Sequence, residues 1–201
     1  SGYDDAILRW SWKHEGKPLD PVFKPGEKFV GDVDLHWDDE RVLFSMRGPK
    51  GRWQVYEKYL STPEAPRQLT GEQPDVDSYD ACYLPNGRIA FMSHRPGSLV
   101  QCGDWALAYC VFTMAPDGSD VRQITVSKDG EWDPFLLNDG TIGFTRWEYV
   151  MKFWSPIQML WSVRPDGTNP RMIYGSDLSR KYAYPLNYAA ARQIPGTGKL
   201  V

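Results

Sequence analysis

The chain has 201 residues, a formal net charge of -3, nine Trp and eleven Tyr. That length can bury a substantial core. The near-balanced charge, without a dense basic run, argues against nucleic acid as a partner, and no apolar run reaches the ~18 residues that a membrane-spanning helix needs. No signal peptide is visible, and Ser1-Gly2 does not read as a native start, so sequence upstream is expected to have been removed or left uncovered.

Ala6–Trp12 reads as a strand, the outer strand of a unit whose remainder is missing, and residues 16–28 are a connector rich in Pro, Gly and Lys. From residue 31 the chain repeats itself. The first copy, about residues 32–70, carries Asp34-Leu-His-Trp, then Arg41–Met46, Trp53–Tyr56 and Arg67–Thr70. The second, about 79–125, carries Asp80-Ala-Cys-Tyr-Leu-Pro-Asn-Gly, Ile89–Met92, Val111–Met114 and Arg122–Thr125. The third, about 131–174, carries Asp133–Thr145, Met159–Gly167 and Arg171–Tyr174, and a fourth begins at about residue 184 and runs to Val201. The apolar runs are short and rich in β-branched and aromatic residues, which suits strands rather than helices. Asn86-Gly87, Asp117-Gly118, Asp139-Gly140 and Asp166-Gly167 supply the positive φ of tight hairpins.

A four-stranded meander recurring every ~45–50 residues is the signature of propeller blades. The predicted fold is all-β: a β-propeller of four-stranded antiparallel blades, present as a partial ring of about three full blades and two part-blades. Because propellers close with four to eight blades, the count points to a piece of a longer propeller or to a ring completed elsewhere. Most aromatic side chains are expected between the blades.

Candidate chemistry is sparse. Aligning the copies places Asp34, Asp80, Asp133 and Asn187 together at the start of each first strand, as an arc at one mouth of the central channel. Such an arc can bind a divalent cation through oxygen ligands or receive a polyhydroxyl or cationic ligand. The competing reading is that each side chain caps a turn between blades. His94 precedes a long insert in the second copy, residues 94–109, and is the histidine best placed for a loop-borne site, though each of His14, His36 and His94 reads first as a satisfied structural histidine. The excursion in the third copy, residues 147–156, brings Trp147, Tyr149, Phe153 and Trp154 to a rim that either docks a protein or glycan or packs on the next blade. Cys102 and Cys110 flank part of the insert, and the alternatives are a disulfide, if the protein is exported, and two reduced thiols; Cys82 reads as a packed hydrophobe. The sequence contains no Gly-x-Ser-x-Gly elbow, phosphate loop, Cys-x-x-Cys or Cys-x-x-Cys-His, so no catalytic residue and no resident haem or other cofactor is assigned to this stretch.

Leu84-Pro-Asn-Gly-Arg-Ile-Ala-Phe91 and the Pro-Asp-Gly turns at Pro116 and Pro165 resemble the WD40-like repeats of TolB-type propellers. Val33–Trp37, Asp80–Arg88, Leu137–Gly140, Thr145–Tyr149 and Ile194–Gly196 together resemble the propeller (middle) domain of hydrazine synthase alpha-subunit-like proteins, over roughly residues 31–201. The resemblance implies a bacterial, exported (periplasmic or extracellular) propeller. It does not carry hydrazine synthesis with it, because that chemistry depends on covalent haems for which this chain has no attachment motif. The functional expectation is therefore a non-catalytic scaffold or binding module. The alternative is the propeller part of a larger enzyme, a multihaem redox enzyme or a metal-dependent lyase, with its catalytic groups mostly elsewhere.

Overall fold

A computed structural model describes residues 5–10, 19–26, 28–71, 73–149, 157–175 and 187–201. Phe153, Trp154 and His14 lie outside them. Fourteen strands are present among the described residues. β1 (Ile7–Arg9) and β2 (Asp20–Phe23) form a two-stranded sheet. The first blade comprises β3 (Val30–Leu35), β4 (Arg41–Arg47), β5 (Trp53–Tyr59) and β6 (Arg67–Gln68). The second comprises β7 (Ser78–Tyr83), β8 (Ile89–Ser93), β9 (Cys110–Met114) and β10 (Arg122–Gln123). β11 (Glu131–Leu136), β12 (Ile142–Glu148), β13 (Ile157–Val163) and β14 (Arg171–Tyr174) make the third. Each is a four-stranded antiparallel meander in sequence order. A fourth unit is represented by a hairpin over residues 187–201, in which Arg192 and Val201 exchange both backbone hydrogen bonds at 2.9 Å. This is the partial β-propeller that the repeat predicts.

Each blade buries both faces, because each lies between neighbours. The middle strands show why: Phe44, Phe91 and Phe144 occupy equivalent places and are fully buried, each facing the preceding unit. Leu43, Val55 and Leu69 of the first blade close over Ile89, Phe91 and Phe112 of the second. Cys82, Ala90 and Val111 close in turn over Ile142, Phe144 and Val163 of the third. β1 and β2 sit where the outer pair of a preceding blade would sit, with Ile7, Val22 and Phe23 against Phe44 and Tyr56. Phenylalanine rather than tryptophan fills the interfaces: Trp10, Trp37 and Trp105 are exposed, and Trp53, Trp132, Trp147 and Trp161 are half-buried.

The short fourth strands are held by a recurring threonine. The Thr70 hydroxyl accepts the Val55 N–H at 3.0 Å and donates to Gln54 Oε1 at 2.6 Å. Thr125 accepts the Val111 N–H at 2.9 Å and donates to Glu131. Removing such a hydroxyl strands a buried donor and a buried acceptor together. Thr70→Val should therefore lower stability by about 1–2 kcal/mol, read as a shift in the urea midpoint with the slope unchanged.

In this meander the links from second to third strand, and from one blade to the next, fall on one face of the ring, the loop face. The links from first to second strand and from third to fourth fall on the other, the turn face.

Candidate functional site: the channel mouth and the loop face

The start of each first strand departs from a regular ladder. Register slips between Gly31 and Asp34, between Tyr79 and Cys82, and between Trp132 and Phe135. At each bulge one aspartate adopts a left-handed backbone: Asp32 (φ 53°), Asp80 (φ 51°) and Asp133 (φ 53°). Aspartate tolerates this region better than most residues, and a bulge needs it to turn one side chain out of the ladder. Ala190 takes the same position in the fourth unit, with φ 54°.

The arc of carboxylates is therefore Asp32, Asp80 and Asp133, which corrects the alignment at two of its four members. Asp34 lies two residues further on, level with Cys82 and Phe135. The slip has a local cause. The turn after β3 spans His36 to Arg41, one residue more than the Leu84–Arg88 turn, and aspartate stands at both 32 and 34. Asn187 falls before the arc altogether, in a parallel bridge to Gln158.

These side chains tie blades together. Asp34 Oδ2 accepts the Tyr83 N–H at 3.0 Å, joining the first blade to the second. Asp133 Oδ2 accepts the Ala190 N–H at 2.8 Å, joining the third to the fourth. The Asp80 side chain hydrogen-bonds that of Asp133, while its own N–H donates to Ser45 Oγ at 2.9 Å. Burial, the charges of Asp32 and Asp133 and that hydrogen bond push the Asp80 carboxyl up to about 8, with Arg192 partly opposing them. The shift favours the protonated form of Asp80, which can donate to the Asp133 side chain. Burial also raises the Asp34 carboxyl, against the Tyr83 N–H and the Arg192 charge. Among the described residues no three His, Cys, Asp or Glu side chains are placed to hold a metal ion.

The loop face holds the other candidates. His94 is buried, not presented: its Nε2 lies 3.2 Å from Asp77 Oδ2, and its ring packs edge-on against Tyr109. Asp77 also accepts the Trp53 N–H at 2.8 Å, so this pair fixes the crossing from the first blade to the second. Trp147 is half-buried in a stack with Trp132, and Tyr149 is about half exposed at the end of the same strand. The Tyr149 N–H and the Gln101 N–H converge on the Asp129 carboxylate, at 3.1 and 3.3 Å, which ties the excursion of the third blade to the insert of the second.

Of the two alternatives for Cys102 and Cys110, the structure has the pair of thiols. Cys102 and Cys110 are both free thiols; Cys102 is exposed in the insert, while Cys110 is buried in β9 with its sulfur 4.0 Å from the Ser127 carbonyl. The strand turns the Cys110 side chain into the interface between blades, away from the loop that carries Cys102.

The strongest candidate on the loop face is a residue that the sequence pattern does not single out. Residues 98–108 of the insert form a small hairpin, bridged at Leu99–Leu107 and by the Ala108 N–H to the Ser98 carbonyl at 2.8 Å. At its end Trp105 is 83% exposed. The signal available in the sequence is the length of the insert, which marks the loop but not the residue.

The architecture is that of a partial β-propeller, and comparison with solved structures agrees. Hydrazine synthase from Kuenenia stuttgartiensis superposes with a TM-score of 0.66 at 18% identity, over 79% of this chain and 27% of that one. A TolB-type protein from Agrobacterium tumefaciens gives 0.59 at 17% identity, over 78% and 52%. TolB from Acinetobacter baumannii gives 0.56 at 16% identity, over 77% and 34%. The chain thus spans about a quarter of the hydrazine synthase chain and about half of the Agrobacterium one. No protein-family model and no curated protein sequence matches it.

Proposed function

We propose that this chain is a non-catalytic propeller module of an exported protein, which binds a protein segment or a glycan across its loop face. The observation that supports this best is Trp105, exposed on a hairpin whose backbone is fixed by its own hydrogen bonds and by Asp129. A rigid aromatic side chain in water is suited to stack on a sugar ring or to anchor in a partner's pocket, and it loses little conformational entropy in doing so. The polar groups of the channel mouth favour a scaffold role, since Asp34, Asp80 and Asp133 are engaged in holding blades in register. The exported setting rests on the resemblance of the repeats. A second reading, the propeller part of a larger enzyme, draws support from the hydrazine synthase and puromycin hydrolase comparisons, in which this chain covers 27% and 23% of the other.

The test is a binding screen against bacterial envelope glycans and envelope proteins, run in parallel with wild type and Trp105→Ala. A ligand that binds wild type and loses about tenfold or more with the variant, about 1.4 kcal/mol, supports the module reading. Ligands bound equally by both would remove Trp105 from the account.

A further inference from the structure

We propose that a groove on the turn face, between the second and third blades, binds a small ligand carrying a single carboxylate. The site lies on the opposite side of the ring from the proposed loop-face surface and does not depend on it.

Two interfaces between blades are alike in sequence and differ in structure. Arg67-Gln-Leu-Thr70 and Arg122-Gln-Ile-Thr125 are the outer strands of the first and second blades. Between the first and second blades, Arg67 spans the wedge, donating to the Pro116 carbonyl and to Glu57, both at 2.8 Å. The turn beyond it is so close that a Cβ on Gly118 would lie 2.1 Å from the Leu69 carbonyl oxygen. Between the second and third blades, Arg122 turns back to its own blade and grips Asp120 through Nε at 2.9 Å and a terminal nitrogen at 2.8 Å. The matching distance, from a Cβ placed on Gly167 to the Ile124 carbonyl oxygen, opens to 3.0 Å. The wedge that Arg67 fills in one interface is left in the other as a groove of about 570 Å³, within the ~300–1,000 Å³ range of small-molecule sites.

The lining sets the ligand class. Ile124 and Pro165 give it apolar wall, while Arg88, Arg122 and Arg164 give it cationic rim. Arg88 is fixed by Asp120, at 2.8 Å to the carboxylate and 2.7 Å to the carbonyl, and by Thr113 at 3.2 Å. Asp120 therefore serves two guanidinium groups at once, and Arg164 has no carboxylate within ion-pair distance among the described residues. Asp139 and Asp166 stand on the far rim, each turned into its own hairpin to accept the N–H and hydroxyl of Thr141 or Thr168. With Arg171 on Asp139, four arginines meet three aspartates, leaving one positive charge over. Guanidinium groups match a carboxylate in geometry and charge. The two rim aspartates repel ligands of higher negative charge, so a monoanion is preferred to a dianion. Acidic sugars and peptide C-termini both offer that chemistry.

Titration calorimetry with a short uronic acid oligosaccharide and with a short peptide bearing a free C-terminus separates the two sources. The expected result is binding of one of them, lost when its carboxylate is masked as an ester or amide, and weakened about tenfold or more, about 1.4 kcal/mol, by Arg164→Gln and by Arg122→Gln. Both variants should keep the wild-type thermal transition within a few degrees, because both side chains stand at the surface. Absence of binding by either probe at millimolar concentration, or binding indifferent to both substitutions, would overturn the proposal.

Discussion

Gly118→Ala is expected to cost about 3 kcal/mol or more, whereas Gly140→Ala, in an equivalent kind of hairpin, should cost about 1 kcal/mol. Both glycines have positive φ, 88° and 80°, so both substitutions carry the same backbone penalty. They differ in what the added methyl meets. At Gly140 nothing lies within 4 Å, but at Gly118 the carbonyl oxygen of Leu69 lies 2.1 Å away, on the neighbouring blade. That oxygen belongs to backbone and cannot rotate aside, so the methyl must push the first and second blades apart. Urea denaturation of the two variants beside wild type measures the difference. Equal midpoints would mean that the first interface is not closed at Gly118.

The second large effect is a pH dependence that runs opposite to ordinary acid denaturation. The Asp80 carboxyl, about 8 in the fold against an ordinary value of 3.8, holds its proton where the unfolded chain has released it. The native state then binds more protons than the unfolded state throughout that window, so stability is fully present below about pH 4 and falls as pH rises toward 8. Glu131, raised to about 7 by its burial, slopes the same way from its own ordinary value of 4.5. Asp80→Asn separates the two contributions, because it leaves Glu131 in place. Asp80→Asn keeps a hydrogen-bond donor for Asp133 and removes the titration. Its stability should fall less steeply than that of wild type as pH rises from 4 to 8, the two diverging by at most about 1.4 kcal/mol per pH unit, with the variant the more stable at the alkaline end. A variant that is less stable than wild type throughout would show that an ionised Asp80 is the form the channel prefers.

The propeller was legible because its evidence is local and repeated. Turn dipeptides such as Asn86-Gly87 and Asp139-Gly140, each followed by a strand of five to seven residues that opens on an apolar stretch, define hairpins without reference to anything distant. What was not legible depends on neighbours. The bulges at Asp32, Asp80 and Asp133 leave no mark in a pattern of apolar and polar residues, and with aspartate at both 32 and 34 the arc could be drawn through the wrong one. Nothing in Arg-Gln-Leu-Thr and Arg-Gln-Ile-Thr distinguishes an arginine that bonds the next blade from one that folds back, because the difference is set by Asp120 and by the spacing of the blades. The weights of His94 and Trp105 as loop-face candidates were settled by neighbours too. A histidine ahead of a loop reads as available, yet Asp77 and Tyr109 enclose it, while a tryptophan reads as core until the hairpin that carries it is seen to project.

The most direct test is whether the channel carboxyls act as links between blades, with one of them protonated at neutral pH. The infrared carboxyl stretch of wild type and Asp80→Asn, recorded as a difference spectrum across pH 5 to 9 with and without calcium, answers it. A protonated carboxyl band that wild type shows at pH 7 beyond the Glu131 band shared with the variant, that fades toward pH 8 and that calcium does not move is the predicted result. A difference spectrum showing only ionised carboxylate at pH 7, or a band that calcium removes, would contradict it and make the arc an ionised cation site.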